Sequence, residues 1–302
     1  YNPGANYMAG IIYRTQKDYI NALESLGWAA RDVKFRSVSY AQMAEIYVAL
    51  GNSERAASYA RKALDFNTYN LNARKVLLLL AREEKDAEKF QNAQEELLNI
   101  DPLDHFAVVE SDFLDSNGVL KGNLKDNFQN EFPEESILDL ALYYYGLGHA
   151  KESIELLSNA GNSPKAEVWL AYLLKDSDSP KSDKLLKQVL MGPTDFIFPY
   201  RREAIPVLEW AESRMPNWKF KYFLAQNYIA VGLLDKGEEI LKSCGDSPDS
   251  DVFYRFRAKT LKSSSYGDKL KDYQKALSLN NGNWLVWNEM IQFYLANENY
   301  SD

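Results

Sequence analysis

The chain has 302 residues, of which 46% are hydrophobic and 26% charged, enough apolar side chain for a core within an ordinary soluble composition. Its 35 basic and 43 acidic residues leave a formal charge of −8. Lys and Arg are scattered at helical spacing and form no basic stripe of the kind that neutralises phosphates, which argues against a nucleic-acid surface. Apolar runs such as Val76 to Ala81 are far too short to cross a bilayer, and the one cysteine, Cys244, cannot form an internal disulfide.

The chain opens at Tyr1 without a signal-peptide pattern, as a piece of a longer or processed protein would. Over residues 3–36, Met8, Ala9 and Gly10 lead to Tyr13, and Ala22 and Ala29 follow on a second amphipathic segment. Residues 37–70 state the same theme more fully. Tyr40, Met43, Ala44 and Tyr47 fall on one helical face, Leu50-Gly51-Asn52 forms a turn, and Ala56, Ala60 and Ala63 fall on the facing helix. Small residues at Ala44 and Ala56 let two backbones approach, with tyrosines filling the gaps beside them. The Gly10–Ala22 separation equals the Ala44–Ala56 separation, and Tyr13–Ala22 equals Tyr47–Ala56.

A third pair begins near Leu71 and closes at Asp101-Pro102, with Phe90 where a small residue is expected and Gln94 on the face that should be buried. Residues 103–133 form an irregular junction, with a helix over His105 to Leu114, a turn at Asn117-Gly118 and a short helix over Leu124 to Phe132. Pro133 suits a first helical turn, and Leu140, Ala141 and Tyr144 lead to a turn at Gly148 followed by Ile154, Leu157 and Ala160. A shorter hairpin follows: Ser163-Pro164 as a start, an apolar Val168 to Leu174, a loop from Asp176 to Pro180, and Leu185 to Leu190. Glu203 to Met215 makes a further helix, broken at Pro216. Leu224, Ala225, Tyr228, a turn at Gly232, and Ile240, Leu241 and Cys244 make a clear pair over 218–249. Phe253, Phe256 and Leu261 then face Leu270, Tyr273, Ala276 and Leu277. Trp284 to Leu295 opens a half unit, before a polar tail at 297–302 expected to be truncated or disordered. No stretch alternates as strands do.

The Tyr40–Met43–Ala44–Tyr47 and Ala56–Ala60 arrangement resembles the tetratricopeptide repeat, W-x-x-L-G-x-x-Y followed by A-x-x-x-F, with Tyr for Trp, Met for Leu, and Ala for Gly and Phe. Leu26-Gly27-Trp28-Ala29-Ala30, Leu98 to Ala107 and Phe198-Pro199-Tyr200-Arg201 with Glu203 resemble the repeat-bearing C-terminal half of a bacterial family led by domain of unknown function 5107. In that family the repeats follow a β-rich region with a proposed link to carbohydrate metabolism. The resemblance therefore implies a helical array without its partner domain. It transfers no catalytic residue.

Residues available for chemistry are few. His149 follows Gly148 and reads as an exposed turn residue, His105 as a side chain at a helix end, and Cys244, at the place of Ala63, as core packing. Glu134-Glu135 complements the positive end of a helix. No phosphate loop or zinc spacing is present. The Lys and Asn pair that clamps acidic C-terminal peptides is also missing, since Lys75 is followed one turn on by Leu79.

The expectation is an all-α chain, a single tetratricopeptide-like α-α superhelix over residues 1–302, right-handed and built from antiparallel helix pairs. Its function is expected to be non-enzymatic: a scaffold that binds a protein or peptide, or an N-terminal domain of the same polypeptide, in a groove lined by Tyr7, Ile11, Arg14, Glu45, Lys75, Arg82, Tyr145, Tyr222 and Gln226. The rival is an accessory region of a carbohydrate-active enzyme, with Tyr145 or Tyr222 stacking on a glycan. No cofactor or metal is expected, and the composition is compatible with either cytoplasm or periplasm.

Overall fold

The computed structural model describes residues 2–115, 120, 128, 131–195 and 197–297. Among these there is no strand, and the chain is all-α, a solenoid of antiparallel helix pairs. It divides into two compact units, Tyr1–Ala166 and Glu167–Asp302. The expected turn at Asn117-Gly118 and most of the expected helix from Leu124 lie outside the described residues, as does the tail beyond Asn297.

The first unit pairs α1 (Pro3–Thr15) with α2 (Tyr19–Ala29), α3 (Val33–Ala49) with α4 (Ser53–Phe66), and α5 (Leu71–Glu84) with α6 (Ala87–Leu98). Then come α7 (His105–Asp115), α8 (Pro133–Gly146) and α9 (Ala150–Ser158). Each of the first three pairs turns in the same way. Lys17, Gly51 and Lys85 take left-handed φ values of 60°, 68° and 55°, at a constant interval of 34 residues. Each is followed at once by an N-cap, Asp18, Asn52 or Asp86, whose side chain accepts from the backbone N–H three residues on. The left-handed residue reverses the chain, and the cap satisfies a donor that the new helix leaves open. That device, not glycine alone, sets the repeat.

Small residues bring the pairs together. A Cβ built on Gly10 would stand 2.6 Å from Leu26 Cγ and 3.3 Å from the Ala22 carbonyl, so α1 and α2 touch where only hydrogen fits. Ala44 and Ala56 are fully buried at the matching places of α3 and α4. The Tyr47 ring stacks on Tyr59 with centroids 5.3 Å apart, and Tyr40 leans on the same ring at 5.8 Å. In the third pair Phe90 is buried at the position expected to be small. Gln94 reaches forward to α7, donating to the Ala107 carbonyl at 3.2 Å and to Ser111.

α10 (Pro164–Leu174) opens with Ala166 N–H donating to Ser163, and the division between the units crosses it. The second unit continues with α11 (Ser179–Met191), a short 3-10 turn at Arg202–Ala204, and α12 (Ile205–Arg214). It closes with α13 (Trp218–Ala230), α14 (Leu234–Ser243), α15 (Asp251–Thr260), α16 (Tyr266–Leu279) and α17 (Trp284–Ala296). One boundary differs from expectation. Pro180 lies in the first turn of α11 and not in a loop, because Asp178 caps that helix by accepting from Lys181 N–H. The close approach recurs at Gly237, where a Cβ would meet Ile229 Cγ1 at 2.5 Å. Cys244 is buried just past α14, and burial pushes its thiol up to about 11, as a packing residue requires.

Candidate interaction site

In the first unit α1, α3, α5 and α7 line up side by side as an inner row, α1 against α3, α3 against α5 and α5 against α7. Along this inner face a cation on one helix meets an anion on the next. Arg14 of α1 donates to Glu45 and Gln42 of α3. Lys75 of α5 lies 2.7 Å from Asp104, which also caps α7 by accepting from Ala107 N–H. Arg82 of α5 donates to Glu110 of α7 at 2.7 Å. Both carboxylates are enclosed, Glu45 at 1% and Glu110 at 0% exposure. Burial pushes the Glu110 carboxyl up, against the pull of Arg82 and Tyr144.

The same face is occupied by the chain itself. Tyr143 of α8 donates to Glu45 at 3.1 Å across 98 positions of sequence. Tyr144 donates to Glu110 at 2.5 Å and stacks on Phe106, with Phe113 edge-on. The Lys17 ammonium lies 4.9 Å from the Tyr145 ring centre. Arg82 also donates to Glu152 of α9 at 3.0 Å. Burial drives the phenols of both Tyr143 and Tyr144 well above their ordinary range, and the carboxylates beside them add to it. His149 is not an exposed turn residue. It is largely enclosed, 3.6 Å from Glu83 and 3.5 Å from Glu152, because Gly148 brings the start of α9 against Ala49. His105 does not cap α7, since Asp104 does. Its ring stacks on Phe128 at 4.1 Å.

Seven of the nine residues expected to line a groove belong to the first unit. Arg14, Glu45, Lys75 and Arg82 are brought together as the ionic ladder. Tyr7 and Ile11 stand half-buried on α1, and Tyr7 packs beside Met43 and Ile46. Tyr145 faces Lys17. Tyr222 and Gln226, on α13 of the second unit, are both buried. The Tyr222 ring is ringed by Trp218, Phe223, Phe253 and Phe256 at centroid distances of 5.5–6.4 Å. Trp218 and Phe223 come from α13 itself, while Phe253 and Phe256 of α15 close the enclosure and have no signature in the spacing of α13 alone. Near it the ladder motif returns, with Arg255 of α15 3.3 Å from Glu289 of α17 and Lys259 at 3.1 Å from the same carboxylate.

Sequence reasoning missed Tyr143, Glu110, His149, Glu152, Arg255 and Glu289. A basic residue recurring about one repeat before an acidic one was the available signal. A second surface was missed as well. On α17, Trp284, Trp287, Ile291 and Leu295 recur at helical spacing and are all exposed. Among the described residues no group of His, Cys, Asp or Glu is placed to hold a metal ion, and no helix is long and apolar enough to cross a membrane.

Comparison with known proteins matches a tetratricopeptide repeat to residues 38–70, which span most of α3, the turn after it and all of α4. No curated protein matches. Among solved structures, a tetratricopeptide repeat protein from Parabacteroides merdae is similar at 16% identity over 97% of this chain and 98% of that one, with a TM-score of 0.31. The tetratricopeptide domain of P58(IPK) is similar at 14% identity over 99% of both chains, with a TM-score of 0.28. A structure of Naa15/Naa10 bound to HypK-THB is similar at 13% identity over 98% of this chain and 66% of that one, with a TM-score of 0.31.

Proposed function

We propose that the chain is a non-enzymatic interaction scaffold that holds a protein segment, or a further domain of its own polypeptide, against its helices. The observation that carries this reading is the stripe on α17. Two tryptophans, an isoleucine and a leucine stand in water on one helical face, and contiguous apolar surface of that kind marks protein contact sites. The residues Tyr7, Ile11, Arg14, Lys75, Arg82 and Tyr145 add charged, aromatic and apolar groups on α1, α5 and α8, suited to fixing register along an extended or helical partner. The bacterial family led by domain of unknown function 5107 offers a setting in which the partner would be an upstream domain.

The glycan reading needs an aromatic ring with an open face. Tyr222 is enclosed by Trp218 and α15, and Lys17 lies over the Tyr145 ring. The open rings of Trp284 and Trp287 share one stripe with Ile291 and Leu295, which favours protein contact. The test is a peptide-display selection against the whole chain, followed by calorimetry with the selected sequence. A dissociation constant near ~1 μM, corresponding to about −8 kcal/mol, is expected. It should weaken at least tenfold when Trp284 and Trp287 are replaced by alanine. Selection of nothing above a helical control protein would end the proposal.

A further inference from the structure

We infer that the inner face of α1–α7 is a helix-binding surface, that α8 and α9 are its resident occupant, and that its external partner is a helical hairpin with a tyrosine at the end of its first helix and a carboxylate in the first turn of its second. The inference rests on the interaction reading and names the partner of the inner face.

A solenoid is built from contacts between neighbouring repeats. α8 departs from that rule. Tyr143 reaches Glu45 on α3, Tyr144 reaches Glu110 on α7, and Lys17 at the α1–α2 turn lies over Tyr145. Successive residues on a helix diverge by about 100°, so three consecutive side chains held by three different elements describe a helix gripped on several sides. Past the left-handed turn at Gly148, the start of α9 brings Glu152 to Arg82 and His149 to Glu83. This is a helical hairpin lying in a groove, supplied by its own chain instead of a partner.

The chemistry of the walls defines what fits. Glu45 and Glu110 are buried acceptors already neutralised by Arg14 and Arg82, so they accept a neutral hydroxyl and not a second charge. Phe106 and Phe113 flank the site and hold an aromatic ring face-on and edge-on. Arg82 donates through its second nitrogen to a carboxylate, as it does to Glu152. A tyrosine at the end of the first helix supplies ring and hydroxyl together, and an acidic residue in the first turn of the second supplies the carboxylate. Arg14–Glu45 joins α1 to α3 and Arg82–Glu110 joins α5 to α7, so both pairs are made within the walls themselves.

The test uses the whole chain and a fluorescein-labelled synthetic peptide of residues 133–158, followed by anisotropy. A site that its own chain fills binds an added copy with an affinity reduced by the fraction that is open. Tyr143→Phe with Tyr144→Phe weakens only the internal copy, by removing two hydroxyl hydrogen bonds while keeping both rings. The variant is therefore expected to bind the added peptide at least tenfold more tightly than the wild type, the reverse of what structural damage does. In parallel, hydrogen exchange on the wild-type chain at saturating peptide should show α8 amides losing protection while those of α3 and α5 keep theirs. Unchanged or weaker binding by a helical variant overturns the inference. So does binding that leaves α8 protection untouched, an arm that decides the matter even where the variant fails to fold. A display-selected ligand that binds without disturbing α8 would leave the scaffold reading standing and sink this one.

Discussion

Gly10 and Gly146 show how one residue type carries opposite meanings. At Gly10 an added methyl would collide with the buried body of Leu26, so Gly10→Ala is expected to destabilise the first unit by about 1–3 kcal/mol. At Gly146, near the end of α8, nothing lies within 4 Å, and Gly146→Ala should stabilise by about 0.4–1 kcal/mol by restricting the unfolded chain. Thermal melts of both variants by circular dichroism check the pair of signs. Glu152 carries a pH dependence. Burial opposes its ionisation, yet hydrogen bonds from His149 and Arg82 hold its carboxyl down at about 2, below the ordinary 4.5. A depressed carboxyl stabilises the fold above its unfolded value, and that contribution is lost as pH falls from about 4.5 toward 2. Glu110, raised by burial, drifts the opposite way. Glu152→Gln should therefore lower the melting temperature at pH 7 and lose most of that effect near pH 2. A gap between wild type and variant that stays constant across this range would show that the charge of Glu152 does not matter.

At the scale of elements, the left-handed residue before each Asx cap is the device that turns the first three pairs. Two of the three are lysines, which pay a steric cost of about 1 kcal/mol or more for φ > 0 that glycine does not. Lys85→Gly is expected to raise stability by up to about 1 kcal/mol, read from urea denaturation midpoints at unchanged slope. The glycine turns were legible in the sequence at Gly51, Gly148 and Gly232, because glycine announces a left-handed position. Lys17 and Lys85 announce nothing. There the geometry is imposed by the pairing of the helices on either side, and only the Asp that follows each of them hinted at it.

For the molecule as a whole, stability in each unit passes between neighbouring repeats, and a buried ion pair shows how far. Arg257 of α15 grips Asp272 of α16 through two hydrogen bonds of 2.6 and 2.9 Å, and donates to the Gly245 carbonyl at 2.6 Å. Arg257→Ala strands a buried carboxylate and should cost about 3–5 kcal/mol. Arg214 and Asp183 make a similar fork on the surface, where loss should be small. Hydrogen exchange in Arg257→Ala should show protection falling most in α15 and α16 and least in α12, as nearest-neighbour coupling requires. A uniform loss across the second unit would show instead that it melts as one body.

The sequence by itself determined the all-α class, the helix pairing and the repeat type. Those properties come from contacts between residues a dozen or so apart, and such contacts leave a spacing behind: Gly10 with Ala22 and Ala44 with Ala56. It also placed charged and aromatic groups on the inner helices, since a polar residue on a predicted core face has to point elsewhere. What fills the inner face was decided by tertiary structure alone. Tyr143 and Glu45 stand 98 positions apart, and no periodicity links residues so distant. Their meeting follows from the path of the whole first unit, summed over every turn between them.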